Sequence, residues 1–156
     1  MPNRTLKHKS KKNKTLKKST KNKKNKKNNA LNNKKTFIVK NFLEILTVVK
    51  LYHWKTYRYS EHEATDMLYK ELNEHLDKFI ETLLGKDQSR IPNFDIHIPL
   101  INNSSKDVFK KRVYTYRDFL INMNNTLDKK KDSDLLSIRD DILADINQFL
   151  YLLTFK

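Results

Sequence analysis

The chain has no cysteine, one glycine and three prolines in 156 residues. The missing cysteine excludes a disulfide framework, a thiolate metal site and a thiol nucleophile. Gly85 alone cannot supply the clustered glycines that phosphate-cradling loops need for tight turns and close backbone approach, so nucleotide-dependent chemistry is not expected. No stretch is apolar enough to span a bilayer, and no apolar segment near the N-terminus has the form of a secretion signal. The expected location is therefore inside a cell. The length suits one domain with appendages.

Acidic residues are absent from residues 1–35, which hold Arg4 and fourteen lysines, fifteen of the 33 basic residues in the chain. Residues 36–156 carry the other eighteen against all 18 acidic residues, so the body is formally neutral and the net charge of +15 belongs to the tail. Lys, Asn, Ser and Thr dominate that tail, with too few apolar residues to repay the entropy of ordering, and it is expected to be disordered. Such a run attracts polyanions by releasing their counterions, chiefly DNA or RNA and without sequence preference. Lys11, Lys12, Lys14, Lys17, Lys18, Lys21, Lys23, Lys24, Lys26 and Lys27 are the expected phosphate contacts. A targeting tail, an anionic-membrane patch and the Lys/Asn bias of an A+T-rich genome are the alternatives.

The body, 36–156, reads as four amphipathic helices. Thr36 is the expected cap of the first, whose apolar positions Phe37, Ile38, Phe42, Ile45, Leu46, Val49 and Tyr52 keep three-and-four spacing to near Trp54. The second is expected to start at a Ser60 cap, with Glu61 and Glu63 at the positive end of its dipole, and to stop at Gly85 after the stripe Leu68, Leu72, Leu76, Phe79, Leu83. Between Pro92 and Pro99 the helical period is lost, and residues 86–103 read as an extended crossover in which His97 is a packed or surface residue. The third helix is expected to follow Ser104 or Ser105, to carry Val108, Phe109, Val113, Tyr116, Phe119, Leu120, Met123 and Leu127, and to end over Asp128–Lys131. A Ser133 cap opens the fourth, apolar over a wide arc through Leu135, Ile138, Ile142, Ile146, Phe149 and Leu153, with Leu136, Leu143 and Leu150 as a second stripe. Short links within each pair and one long link between pairs predict an all-α four-helix bundle of ferritin-like connectivity.

Chemistry concentrates in residues 53–81. With His62 set at zero on a helix of about 100° per residue, Asp66 falls at about 40°, Asp77 at about 60° and Glu81 at about 100°. The apolar stripe of the same helix lies between about 240° and 320°, so the ligand flank and the core face are distinct. Asp66 and Asp77 are nevertheless about 16 Å apart along the axis, too far for one ion. Two copies packed antiparallel across a two-fold axis remove the difficulty: His62 and Asp66 of one meet Asp77 and Glu81 of the other, with His53 completing the first half. Imidazole and carboxylate ligands suit iron, zinc or manganese. The metal-free alternative has the acids paired with Lys70 or Lys78, His53 ending its helix as a packing residue and His75 at the surface. No Glu-x-x-His occurs in the second or fourth helix, which disfavours a di-iron site within one subunit.

His53-Trp54 followed by His62-x3-Asp66-x10-Asp77-x3-Glu81 resembles the ferroxidase signature of the Dps family, the DNA-binding miniferritins of starved cells. The resemblance implies mono- or di-iron binding at an interface in a homodimer or larger homo-oligomer. It also implies oxidation of iron by oxygen or peroxide, and a lysine-rich tail on nucleic acid, in or near a nucleoid. His53-Trp54, Tyr59-Ser60-Glu61-His62 and Tyr151-Leu152-Leu153-Thr154 are similar to a group of small helical proteins from large double-stranded DNA viruses, which implies association with a virion. The second expectation is a non-enzymatic oligomerisation module whose tail packages DNA or RNA, with a degenerate metal site.

Overall fold

From Leu6 onward nothing in the sequence stops a helix until Lys55: there is no proline or glycine, and lysine and leucine are fair helix formers. In the computed structural model α1 accordingly runs unbroken over Leu6–Lys55. The structure describes residues 6–92, 97–98 and 105–155, with the backbone alone for residues 6–25 and 27. Thr36 is therefore an interior residue and not a cap. Of the ten lysines expected on phosphate, nine have side chains outside the described residues; the tenth, Lys26, is exposed.

Among the described side chains, packing against the body begins at Lys34, which donates to the Thr126 carbonyl. Lys35, only 2% exposed, donates to Asp87 and to Ser89, each at 2.6 Å. Residues 28–33 are exposed. Residues 1–33 contain no acidic residue to offset like charges that recur at helical spacing, which disfavours a helix in that segment taken by itself. A peptide of residues 1–33 is expected to give a largely unordered circular dichroism spectrum in dilute buffer; a strongly helical one would show that the sequence sustains the helix unaided.

The other helices are α2 (Tyr59–Gly85), α3 (Lys106–Asn122) and α4 (Ser133–Leu152). Three boundaries differ from expectation. Arg58 and not Ser60 precedes α2, in extended conformation and without a side-chain cap. α3 stops at Asn122 and passes into a 3-10 turn, Met123–Asn125. Buried Arg139 of α4 reaches this end, donating to the Leu120 carbonyl at 2.7 Å and to Asn124 Oδ1 at 2.8 Å, and so adds a side-chain donor to a carbonyl that the Met123 amide also reaches. Asp132 precedes α4 without a side-chain cap, and Lys86 ties that end to α2 through Asp132 at 3.2 Å and Asp134 at 2.8 Å. Ser105 caps α3 as expected, accepting from the Val108 amide.

The contacts define the topology. Phe42 meets Phe79 and His53 meets His62, so α1 and α2 are antiparallel. Tyr52 stacks on Phe109 while Phe42 meets Phe119, so α1 and α3 are antiparallel as well. His75 pairs with Asp145 and Lys86 with Asp134, which sets α4 antiparallel to α2. α2 thus ends beside Lys35, whereas α3 starts at the opposite end, where Lys106 meets Glu61. These two helix ends stand at opposite ends of the bundle, as the expected long crossover requires; His97 is exposed, and residues 93–96 and 99–104 lie outside the described residues. The core holds Val49, Leu72, Phe79, Phe109, Leu135, Ile142 and Ile146, none more than about 1% exposed. Two positions expected on apolar stripes, Phe37 and Val108, are exposed instead. No helix among the described residues is long and apolar enough to cross a membrane.

Candidate functional site

The α1–α2 hairpin is locked at its tip by a buried carboxylate. Glu61, in the first turn of α2, does not sit at the surface beside the helix dipole as its position suggests; it is 7% exposed and turns inward. Its Oε2 accepts from Tyr52 at 2.7 Å and from Thr56 at 2.9 Å, and its Oε1 lies 3.2 Å from Lys106 Nζ on α3. Burial opposes the charge, but the hydrogen bonds from Tyr52 and Thr56 and the Lys106 ammonium outweigh it and hold the carboxyl below its ordinary range. Burial and the Glu61 carboxylate push the Tyr52 hydroxyl upward, so it remains a donor. One carboxylate therefore joins three elements and sets the register of the two histidines beside it.

His53 and His62 hold each other reciprocally. His53 Nδ1 is 3.1 Å from the His62 carbonyl, His62 Nδ1 is 3.1 Å from the His53 carbonyl, and the rings stack at 3.8 Å between centroids, 26° from parallel. A carbonyl only accepts, so each Nδ1 carries a proton, and in the neutral imidazole it is Nε2 that keeps the lone pair. Thr65 Oγ1, 3.3 Å from His53 Nδ1, adds a second acceptor. Metal-binding histidines are oriented in this way, by a bond from the nitrogen that does not ligate. Asp66 Oδ1 stands 3.8 Å from His53 Nε2, too far for a hydrogen bond and within the span of two metal–ligand bonds of about 2 Å each. Lys50 Nζ lies 3.7 Å from the same oxygen and 4.6 Å from the Tyr69 ring.

His53, His62 and Asp66 are thus neighbours on one face. They are not a closed cage, because His62 does not bring its ligand atom into a cluster as tight as 4.8 Å with the other two. Asp77 and Glu81, the remaining expected ligands, are exposed further along α2 and do not approach the histidines within the chain. Asp77 stands at the rim of a groove of about 260 Å³ between α1 and α2, lined by Val39, Leu43, Leu46, Asn73 and Ile80.

A second set of ligand-type residues was not anticipated. His75, expected at the surface, is half-buried and its Nδ1 lies 2.7 Å from Asp145 Oδ2 on α4. With Glu71, one turn earlier on α2, the three offer ligand atoms all within 4.8 Å of one another. The i, i+4 spacing of Glu71 and His75 is visible in sequence, but Asp145 is seventy residues away and only the packing of α2 on α4 supplies it. A cation entering here would have to replace the His75–Asp145 hydrogen bond.

Residues 53–153 match the profile of a family of unknown function, DUF5856. The match opens at His53 and closes at Leu153, so both histidines, the α1–α2 link and α2, α3 and α4 lie within it and the basic tail lies outside. None of the curated proteins and none of the solved structures matches the chain. With about two thirds of its 156 residues matched, the chain belongs to the DUF5856 family.

Proposed function

We propose that this protein binds iron at an interface between two copies of itself, in the manner of a Dps-like miniferritin, and holds nucleic acid through its lysine-rich tail. The observation that carries the metal half is the reciprocal histidine pair, which leaves both Nε2 atoms as acceptors with the Asp66 carboxylate alongside. The spacing on α2 supports a shared site. Residues 62 and 81, like 66 and 77, are symmetric about one point between Glu71 and Leu72, so a single two-fold axis there carries both acids of each copy to the histidines of the other. Three carboxylates, Asp66 of one copy and Asp77 and Glu81 of the other, and two imidazoles would then line each site, a donor set suited to iron, and ferrous iron would be the substrate oxidised there. The tail would keep the DNA beside the site that consumes iron and peroxide.

Aerobic addition of Fe(II), followed by ferric-oxo absorbance, tests this reading. Oxidation above buffer is expected for the full chain, and its loss is expected in Asp77→Ala/Glu81→Ala and in His53→Ala. His75→Ala is expected to oxidise iron normally. Activity lost in His75→Ala and kept in the other variants would move the site to the Glu71–His75–Asp145 cluster, and no oxidation at all would sink the proposal.

One observation favours the non-enzymatic alternative: Lys50 already neutralises Asp66. In that reading the bundle only oligomerises and presents its tail to nucleic acid, and the full chain shows no oxidation while still binding DNA.

A further inference from the structure

The link between α1 and α2 lies in the segment Trp54-Lys55-Thr56-Tyr57-Arg58-Tyr59, in which rings and cations are interleaved. All three rings face solvent, with Trp54 69%, Tyr57 105% and Tyr59 77% exposed. Large aromatic side chains ordinarily gain from burial, and three left in water beside two cations have the composition of a base-stacking platform.

Against the link lies a pocket of about 230 Å³, lined among others by Lys55, Tyr57, Arg58, Glu61 and Lys106. Glu61, the one carboxylate among its described lining residues, is already satisfied by Tyr52, Thr56 and Lys106. Arg58 therefore lines the pocket beside the Lys106–Glu61 pair, with Lys55 also in its wall. α2 begins here without a side-chain cap, so the positive end of its dipole adds to the same field.

We propose that the α1–α2 link is a binding site for single-stranded nucleic acid, with unpaired bases stacked on Tyr57 and Tyr59 and a backbone phosphate held among Lys55, Arg58 and Lys106. Stacking demands exposed base faces, which a duplex keeps inside its own stack, so the link discriminates by strandedness and not by sequence. The proposal rests on the reading that this chain meets nucleic acid and adds a contact separate from the tail. Lys34, where the tail joins the body, lies at the far end of the packed part of α1, about 30 Å from Lys55 at 1.5 Å per residue.

The test uses the full chain with labelled oligo(dT) of about fifteen nucleotides, a common site size for one such surface, and a duplex of the same length. Anisotropy and the emission of Trp54, the only tryptophan, are followed at about 50 mM and about 300 mM salt, the higher salt suppressing the tail's contribution. At the higher salt the wild type is expected to retain oligo(dT) with altered Trp54 emission. Tyr57→Ala/Tyr59→Ala is expected to bind it about tenfold more weakly or worse, and to bind duplex at low salt as the wild type does. Arg58→Glu, with both rings kept, is expected to lose oligo(dT) severalfold; unchanged thermal midpoints show that both variants are folded. Equal oligo(dT) affinity in wild type and double variant would overturn the proposal, as would parallel loss on duplex and single strand. If the double variant alters only the sedimentation coefficient, the rings belong to an interface between copies and the proposal falls. Absence of duplex binding by the wild type at low salt would count against the tail and leave the link to be judged on oligo(dT).

Discussion

Deleting residues 1–33 is expected to abolish measurable duplex DNA binding at low salt while leaving the bundle folded. The deletion removes Arg4 and twelve of the fourteen tail lysines but keeps Lys34 and Lys35, whose hydrogen bonds to Thr126, Asp87 and Ser89 belong to the body. The remaining chain is close to neutral, and its affinity for phosphate has no concentrated source beyond the α1–α2 link. In the full chain, six to ten phosphate contacts would make affinity fall by about 10³ to 10⁵ between 50 and 200 mM salt. Electrophoretic retardation at two salt concentrations checks both statements. Binding that survives the deletion, or a salt slope near zero, would show that the tail is not the contact.

The second large effect concerns stability. Glu61→Ala is expected to cost about 2 to 4 kcal/mol, because it leaves the Tyr52 hydroxyl, Thr56 and Lys106 around a site with no acceptor. In a bundle of this size that corresponds to a fall of about 10 °C in the thermal midpoint. Glu61→Gln keeps an acceptor for Tyr52 and should cost less. The pH dependence has a definite sign. A carboxyl held below its ordinary value contributes fully above the unfolded pKa, about 4.5, and loses that contribution as pH falls through the lower folded value. Wild type and Glu61→Gln are therefore expected to differ most at neutral pH and to converge under acid, as read from urea midpoints at several pH values. A constant difference down to strong acid would mean that packing, and not the carboxylate charge, holds the hairpin tip.

The helical architecture was readable because it is encoded locally. Three-and-four spacing needs only neighbours on the same helix, so Leu68, Leu72, Leu76, Phe79 and Leu83, and likewise Ile138, Ile142, Ile146 and Phe149, were identifiable as core residues, and all are buried. Breakers mark ends equally locally, and Gly85 does close α2. Where no breaker exists a helix start is not marked: Thr36, expected as a cap, is an interior residue of α1, which is traced back to Leu6. Phe37 and Val108 fit the period of their helices but stand outside the buried face, since period gives spacing on a helix and not the width of the partner that covers it.

The site divides in the same way. Sequence by itself determined the basic tail, the four amphipathic helices and the common flank of His62, Asp66, Asp77 and Glu81, because charge, apolar period and angular position follow from residue order alone. Only the tertiary structure decided that Glu61 is buried, that His53 and His62 hold each other's backbone, that His75 meets Asp145, and that the rings of the α1–α2 link remain in solvent. Each of these depends on distant groups, Lys106 on α3 and Asp145 on α4 among them, or on the absence of a covering element among the described residues. A side chain's hydrogen-bond partner and its exposure are properties of how helices pack, and no spacing within one helix contains them.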